Sequence, residues 1–247
     1  MTYKAEAPSK RTDQIGSKPK RFWKTVEIKA EGAGFGVTLD GRPVKTPKGE
    51  TLILPNFALA ALVGREWEAV EETVDFTAMP LTRLGFAALD HMESGLEAAL
   101  AEAARFTETD LVCYPSDYPQ ALIAREQAAW GPVIEWLKSE LGLTFVQQTS
   151  LMARGQSAET IDGVKTILSA ASIYARAGLM AAIPMLGSVA LALALYKGRL
   201  DADEAFAASR VGETFQQETW GEDAEVQQRE ANLRREIANL QTWFRAL

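Results

Sequence analysis

Residues 22–54 alternate apolar and polar positions with a period of two. Phe22, Val26 and Ile28 stand among Lys and Glu and predict a first strand. Gly32, Gly34 and Gly36 interrupt the pattern, and Val37-Thr38-Leu39 resumes it. Asp40-Gly41 has the composition of a tight hairpin turn. Val44 to Thr46 and Thr51 to Leu54 predict two further strands around a turn at Pro47 to Gly49. The expected product is a small antiparallel meander.

After Pro55 the period becomes helical. Asn56 has N-cap chemistry, and Leu59, Val63, Trp67 and Val70 share one face. Helices are predicted over 56–72, 81–105, 118–141, 158–176, 178–197, 201–219 and 222–246, with Pro132 kinking or splitting the third. Leu143 to Val146 reads as a short strand or an extended connection. Asp201 and Glu204 fit a capping box. Val226, Leu233, Ile237, Leu240, Phe244 and Leu247 form one stripe on the last helix, with Glu225–Arg229 and Glu230–Arg234 as supporting pairs. The fold class is therefore α+β: a basic arm at 1–20 expected to be disordered, a β-rich part with at least one helix at 21–95, and a larger helical part at 96–247.

The composition, 47% apolar and 24% charged over 247 residues, excludes a collagenous, disordered or disulfide-built chain. The net charge is −7, and the first 24 residues carry seven Lys/Arg against Glu6 and Asp13. The remainder is thus strongly acidic, which argues against a nucleic-acid footprint. The arm has no apolar run of signal-peptide length. The expected location is a bacterial cytoplasm, or the mitochondrial matrix for a eukaryotic source. Ala177 to Tyr196 is uncharged for twenty residues, enough to cross a bilayer. Gly178, Pro184, Gly187 and Ser188 interrupt it, so a buried helix without stable membrane insertion is expected; a peripheral membrane protein is the competing reading.

Candidate chemistry is sparse. His91 is the single histidine and Cys113 the single cysteine, which nearly removes zinc and makes His91 the one available imidazole base. Gly32-Ala33-Gly34-Phe35-Gly36 is one residue short of the dinucleotide fingerprint and leads into a strand, so a glycine-rich hairpin is expected. No cofactor is expected. On the helix predicted at 201–219, Ala205, Ala208, Gly212 and Phe215 form a small-residue face; Phe206, Ser209, Glu213, Gln216 and Trp220 form another. Glu213 thus stands between two aromatics, as a catalytic acid or an interface contact would. Gly221 fits a helix end, and Asp223 and Glu225 fit the first turn of the next helix. A hydrolase or lyase using Glu213 and Asp223 is the enzymatic alternative.

Arg21-Phe22-Trp23-Lys24, Gly34-Phe35-Gly36-Val37, Leu39-Asp40-Gly41-Arg42-Pro43-Val44-Lys45-Thr46-Pro47, Glu66-Trp67, Met79-Pro80-Leu81-Thr82-Arg83-Leu84, Tyr114 and the Gln216 to Gly221 stretch follow in order over residues 21–230. With these the chain resembles the assembly chaperones of the F₁-ATPase α subunit. The resemblance implies a non-enzymatic protein that binds the unassembled α subunit and keeps it from aggregating until it pairs with β. It implies a functionally important acid before Trp220-Gly221, carried to Glu213 with Glu218 competing. Gln216, Trp220, Asp223 and Phe206 join them as expected partner-binding residues, and Trp67 and Gly221 as structural ones. A monomer is expected when free.

Overall fold

The computed structural model describes residues 19–148, 155–221 and 224–247; the arm before residue 19, and Asp223, lie outside them. Strands β1 (Val26–Glu31), β2 (Gly34–Leu39), β3 (Arg42–Pro43) and β4 (Ile53–Leu54) form one antiparallel sheet. β2 is central: β1 runs along one edge, with Val26 opposite Leu39, and β3 and β4 share the other, with Phe35 opposite Leu54. The glycine-rich run is the β1–β2 hairpin, turned at Gly32 with φ +59°. At Gly34 a Cβ would lie 2.4 Å from the Leu54 carbonyl oxygen, so the glycine permits the close β2–β4 approach.

The strand expected from Phe22 starts only at Val26. Phe22 is 66% exposed, and its neighbour Trp23 is the ring that enters the core. The Asp40 carboxylate fixes this entry, accepting from the backbone N–H groups of Thr25 (2.9 Å) and Lys24 (3.0 Å). Those bonds hold Asp40 below its ordinary carboxylate range.

Two of the quoted motifs meet as one device. α1 (Phe57–Glu68) is N-capped by Asn56, which accepts from Leu59 N–H, as its sequence predicts. At its other end Glu66 accepts from the N–H groups of Leu81 and Thr82, both at 2.8 Å, and from the Thr82 hydroxyl at 2.7 Å. Glu66 thereby caps α2 (Pro80–His91) from outside. Partial burial pushes its carboxyl above the usual value despite these bonds. Trp67 beside it is 6% exposed and meets Trp23 edge-on, with centroids 5.4 Å apart; Phe76 and Phe86 extend the cluster. Arg21 lies over the Trp23 ring and donates to the carbonyls of Glu68 and Val70 beyond α1.

The helices that follow are α3 (Leu96–Glu108), α4 (Gln120–Leu141), α5 (Ala158–Ala170), α6 (Ile173–Leu186), α7 (Val189–Tyr196), α8 (Ala202–Ser209), α9 (Val211–Trp220) and α10 (Ala224–Arg245). Four predicted helices have different limits. The segment 81–105 is interrupted after His91, 158–176 stops at Ala170, 178–197 breaks at Gly187-Ser188, and 201–219 breaks at Arg210. α4 continues through Pro132, and Leu143 to Val146 is an extended connection whose end is held by the Gln156 amide. The Asp201–Glu204 capping box forms. The stripe of α10 buries Ile237, Leu240 and Phe244, joined by Trp243. Glu225 pairs with Arg229, whereas Arg234 reaches Asp203 and Glu230 reaches Gln217.

The uncharged stretch is a buried hairpin of helices: Val189 to Leu195 of α7 are all buried. Among the described residues no helix is long and apolar enough to cross a membrane. Gly187, at φ +63°, ends α6, and the buried Asp110 starts α7, accepting from the Ser188 hydroxyl (2.5 Å) and Ala190 N–H (3.0 Å). Arg176, buried near the start of α6, donates to the carbonyls of Leu168, Ser169 and Ala171 at the end of α5 and of Met92 after α2. Helix ends are where unpaired carbonyls and negative dipole accumulate, so they satisfy a buried guanidinium. Tyr174 O–H donates to the Ile53 carbonyl (2.8 Å) and Asn56 Nδ2 to the Ala246 carbonyl (2.7 Å), tying α6 and the C-terminal helix to the sheet side.

Truncation of the buried ring in Trp67→Ala should lower stability by roughly 3–5 kcal/mol in urea denaturation; an unmoved midpoint would show that the indole is not core. Burial raises Asp110 to about 6. Between about pH 4 and 6 the folded state therefore holds a proton that the unfolded chain releases. The stability linked to it is complete below about pH 4 and is lost as pH rises. The stability difference between the unaltered chain and Asp110→Asn should shift against the unaltered chain across that window. A difference constant with pH would contradict this.

Candidate functional site

α9 carries most of the predicted site residues and has none of its own residues buried. It packs against α4 and lies beside α10. The break at Arg210 divides the face expected on a single helix. Phe206, on α8, is 5% exposed and turned into the core beneath the Arg234 guanidinium, 4.4 Å from its ring. The expectation that it shares a contact face with Glu213 does not hold: α8 ends at Ser209, and Glu213 stands on the separate helix α9. Gly221 ends α9 with φ +87°, its N–H donating to the Gln217 carbonyl (2.7 Å).

The remaining predicted residues on α9 are exposed. Glu213 is exposed and pairs with Arg210 at 2.7 Å. Gln216 is exposed, and Trp220 is 78% exposed. Glu218 pairs at 2.7 Å with Arg125 of α4, whose guanidinium also lies 5.3 Å from the Phe215 ring centroid. The hydrogen bond from Arg125 holds the exposed Glu218 carboxyl below its usual value. Glu213 and Glu218 thus occupy opposite flanks of one helix, each with its own arginine.

Each flank opens on a cleft. On the α10 side, Arg210, Glu213, Gln217, Arg229, Glu230 and Leu233 line a depression of about 190 Å³. On the α4 side a cleft of about 460 Å³ is floored largely by apolar side chains, among them Pro132, Val133, Leu200, Ala208 and Val211, with Arg125 and Arg199 at its edge. Sequence reasoning missed this cleft, because it joins α4 to an α8–α9 corner that periodicity does not reveal. Pro132 is the one available signal, an exposed proline inside a helix that stays whole around it.

Several other titratable groups lie in structural settings. Asp90 accepts from the Thr46 hydroxyl (2.6 Å), and exposed His91 lies 3.3 Å from Lys48 Nζ. Cys113 is buried, which pushes its thiol far above the ordinary value. The two carboxyls that burial raises, Glu66 and Asp110, both cap helices. Among the described residues no group of three or more His, Cys, Asp or Glu could hold a metal ion.

The chain as a whole is similar to known proteins. The family described as ATP12 chaperone protein matches residues 20–138. The crystal structure of Atp12 from Paracoccus denitrificans is 32% identical, covers 92% of this chain and 98% of its own, and superposes with a TM-score of 0.87. A solved protein from Agrobacterium tumefaciens is 36% identical, with 92% and 85% covered and a TM-score of 0.85. The mitochondrial protein atp12 of Schizosaccharomyces pombe is 26% identical over 219 residues, which is 83% of this chain and 75% of that protein.

Proposed function

The chain belongs to the ATP12 chaperone family, and we propose that it binds the unassembled α subunit of F₁-ATPase, covers its apolar subunit face and releases it into assembly with β. The observation that carries this reading is α9, a helix with no buried residue, presenting Glu213, Gln216 and Trp220 outward between two clefts. A holdase needs an apolar contact centre with a polar rim and moderate affinity, so that the client can leave. The carboxyls raised by burial, Glu66 and Asp110, are engaged in helix caps, which disfavours the hydrolase or lyase reading. Displacement by β through mass action is the proposed route of release, and a bacterial cytoplasm the proposed location.

Glu213 is exposed and its pair with Arg210 is of the kind that contributes little to folding. Glu213→Lys should leave the melting temperature nearly unchanged while weakening α-subunit capture, since reversing a rim charge mainly costs association. Pull-down with purified α subunit measures this. Capture equal to that of the unaltered chain would remove Glu213 from the contact. Co-expression supplies the broader test: α should remain soluble when this chain is present and aggregate when it is not. Aggregation in both cases would overturn the proposed client.

A further inference from the structure

We propose that the cleft between α4 and the α8–α9 corner seats an apolar side chain of the client flanked by a carboxylate, and that this carboxylate replaces Glu218 on Arg125. The proposal rests on the reading above and adds to it the place and chemistry of the contact.

The shape comes first. The cleft holds about 460 Å³, within the range of sites that enclose a compact group. Its floor is built from Ala129, Val133, Leu200, Ala208 and Val211, which desolvate whatever enters and offer it no strong polar partner. The charges come next. Arg125 and Arg199 stand at the edge, although the whole chain carries −7. The acid among the lining residues, Glu204, is held in its capping box, where its Oε2 accepts from Asp201 N–H at 2.9 Å. Its carboxylate is turned to its own helix start, so exposed Arg199 and, once Glu218 leaves it, Arg125 are the edge groups that can meet an incoming carboxylate. An acidic, apolar segment is the complement of such a site.

Arg125 has an occupant already, and that occupant is exchangeable. Both side chains of the Arg125–Glu218 pair are about half exposed, at 46% and 53%. Exposed pairs of this kind contribute little, so exchange of Glu218 for another carboxylate costs little. The surface beyond the pair is suited to anchoring. Trp220, two residues past Glu218, is 78% exposed, and Tyr118, just before α4, is 81% exposed. The Arg125–Glu218 bridge brings these two chain ends to the same end of the α4–α9 pair. Exposed aromatics and arginines are enriched where interfaces bind most strongly.

The test measures binding of purified α subunit to the full chain by titration, with melting temperature recorded for every variant. Arg199→Glu reverses one of the two edge cations at an exposed position. Ala207→Trp fills the cleft from an exposed position on α8. Both should weaken binding at least about tenfold at unchanged melting temperature. Glu218→Gln frees Arg125 and should tighten binding several-fold, the opposite direction from Glu213→Lys. Should Ala207→Trp fail to fold, Arg199→Glu and Glu218→Gln carry the decision. Binding unchanged in the folded cleft variants, or weakened by Glu218→Gln, would overturn the cleft while leaving the chaperone reading in place. An unaltered, folded chain that does not bind α would overturn both.

Discussion

Twenty uncharged residues from Ala177 to Tyr196 must reverse direction inside the helical part, and the buried carboxylate of Asp110 makes that reversal possible. A helix start leaves N–H groups without partners, and in a fully apolar surrounding water cannot supply them. Asp110 and Ser188 supply them instead, and Gly187 provides the left-handed residue that ends α6. With the reversal in place, α6 and α7 become the pillar on which α2, α3, α4, α8 and α10 are stacked. Arg176 binds that pillar to the end of α5, and Tyr174 binds it to the sheet.

The same arrangement explains why α9 is where it is. α8 is packed on the pillar through Ala205, Phe206 and Ala208, and the chain then turns at Arg210 instead of continuing. α9 is left on the outside, attached to α4 and to Glu230 of α10 by polar side chains and partly buried rings. A rigid interior and a thinly attached outer helix suit a protein that must hold a client and then let it go.

Much of this could be read from residue order alone, because local chemistry decides it. Asp40-Gly41 and the glycines around Phe35 specify hairpins, Asn56 and Asp201 specify helix starts, and the four- and three-residue spacing through Trp67 specifies a core face. What escaped is decided by partners far along the chain. Phe22 and Trp23 are both aromatic, and only the pocket made by Trp67 selects the second. Ser209-Arg210 contains no glycine or proline, so the break there has no local signature; it moved Phe206 from an expected contact face into the core. Arg176 resembles any helix arginine until three carbonyls at the end of α5 and the distant one of Met92 converge on it. The outward position of Glu213, Gln216 and Trp220 matches the periodicity, whereas Arg125, Arg199 and Leu200, which line the cleft on the α4 side, became adjacent only through folding.

The account holds that this chain acts by covering an apolar face of the α subunit, as a stoichiometric partner. The most direct measurement is light scattering as denatured α subunit is diluted into buffer with rising amounts of the chain and no nucleotide. The account predicts that aggregation falls in proportion to added chain and is suppressed near one chain per α. Scattering unaffected by a molar excess, or abolished by trace amounts, would contradict it.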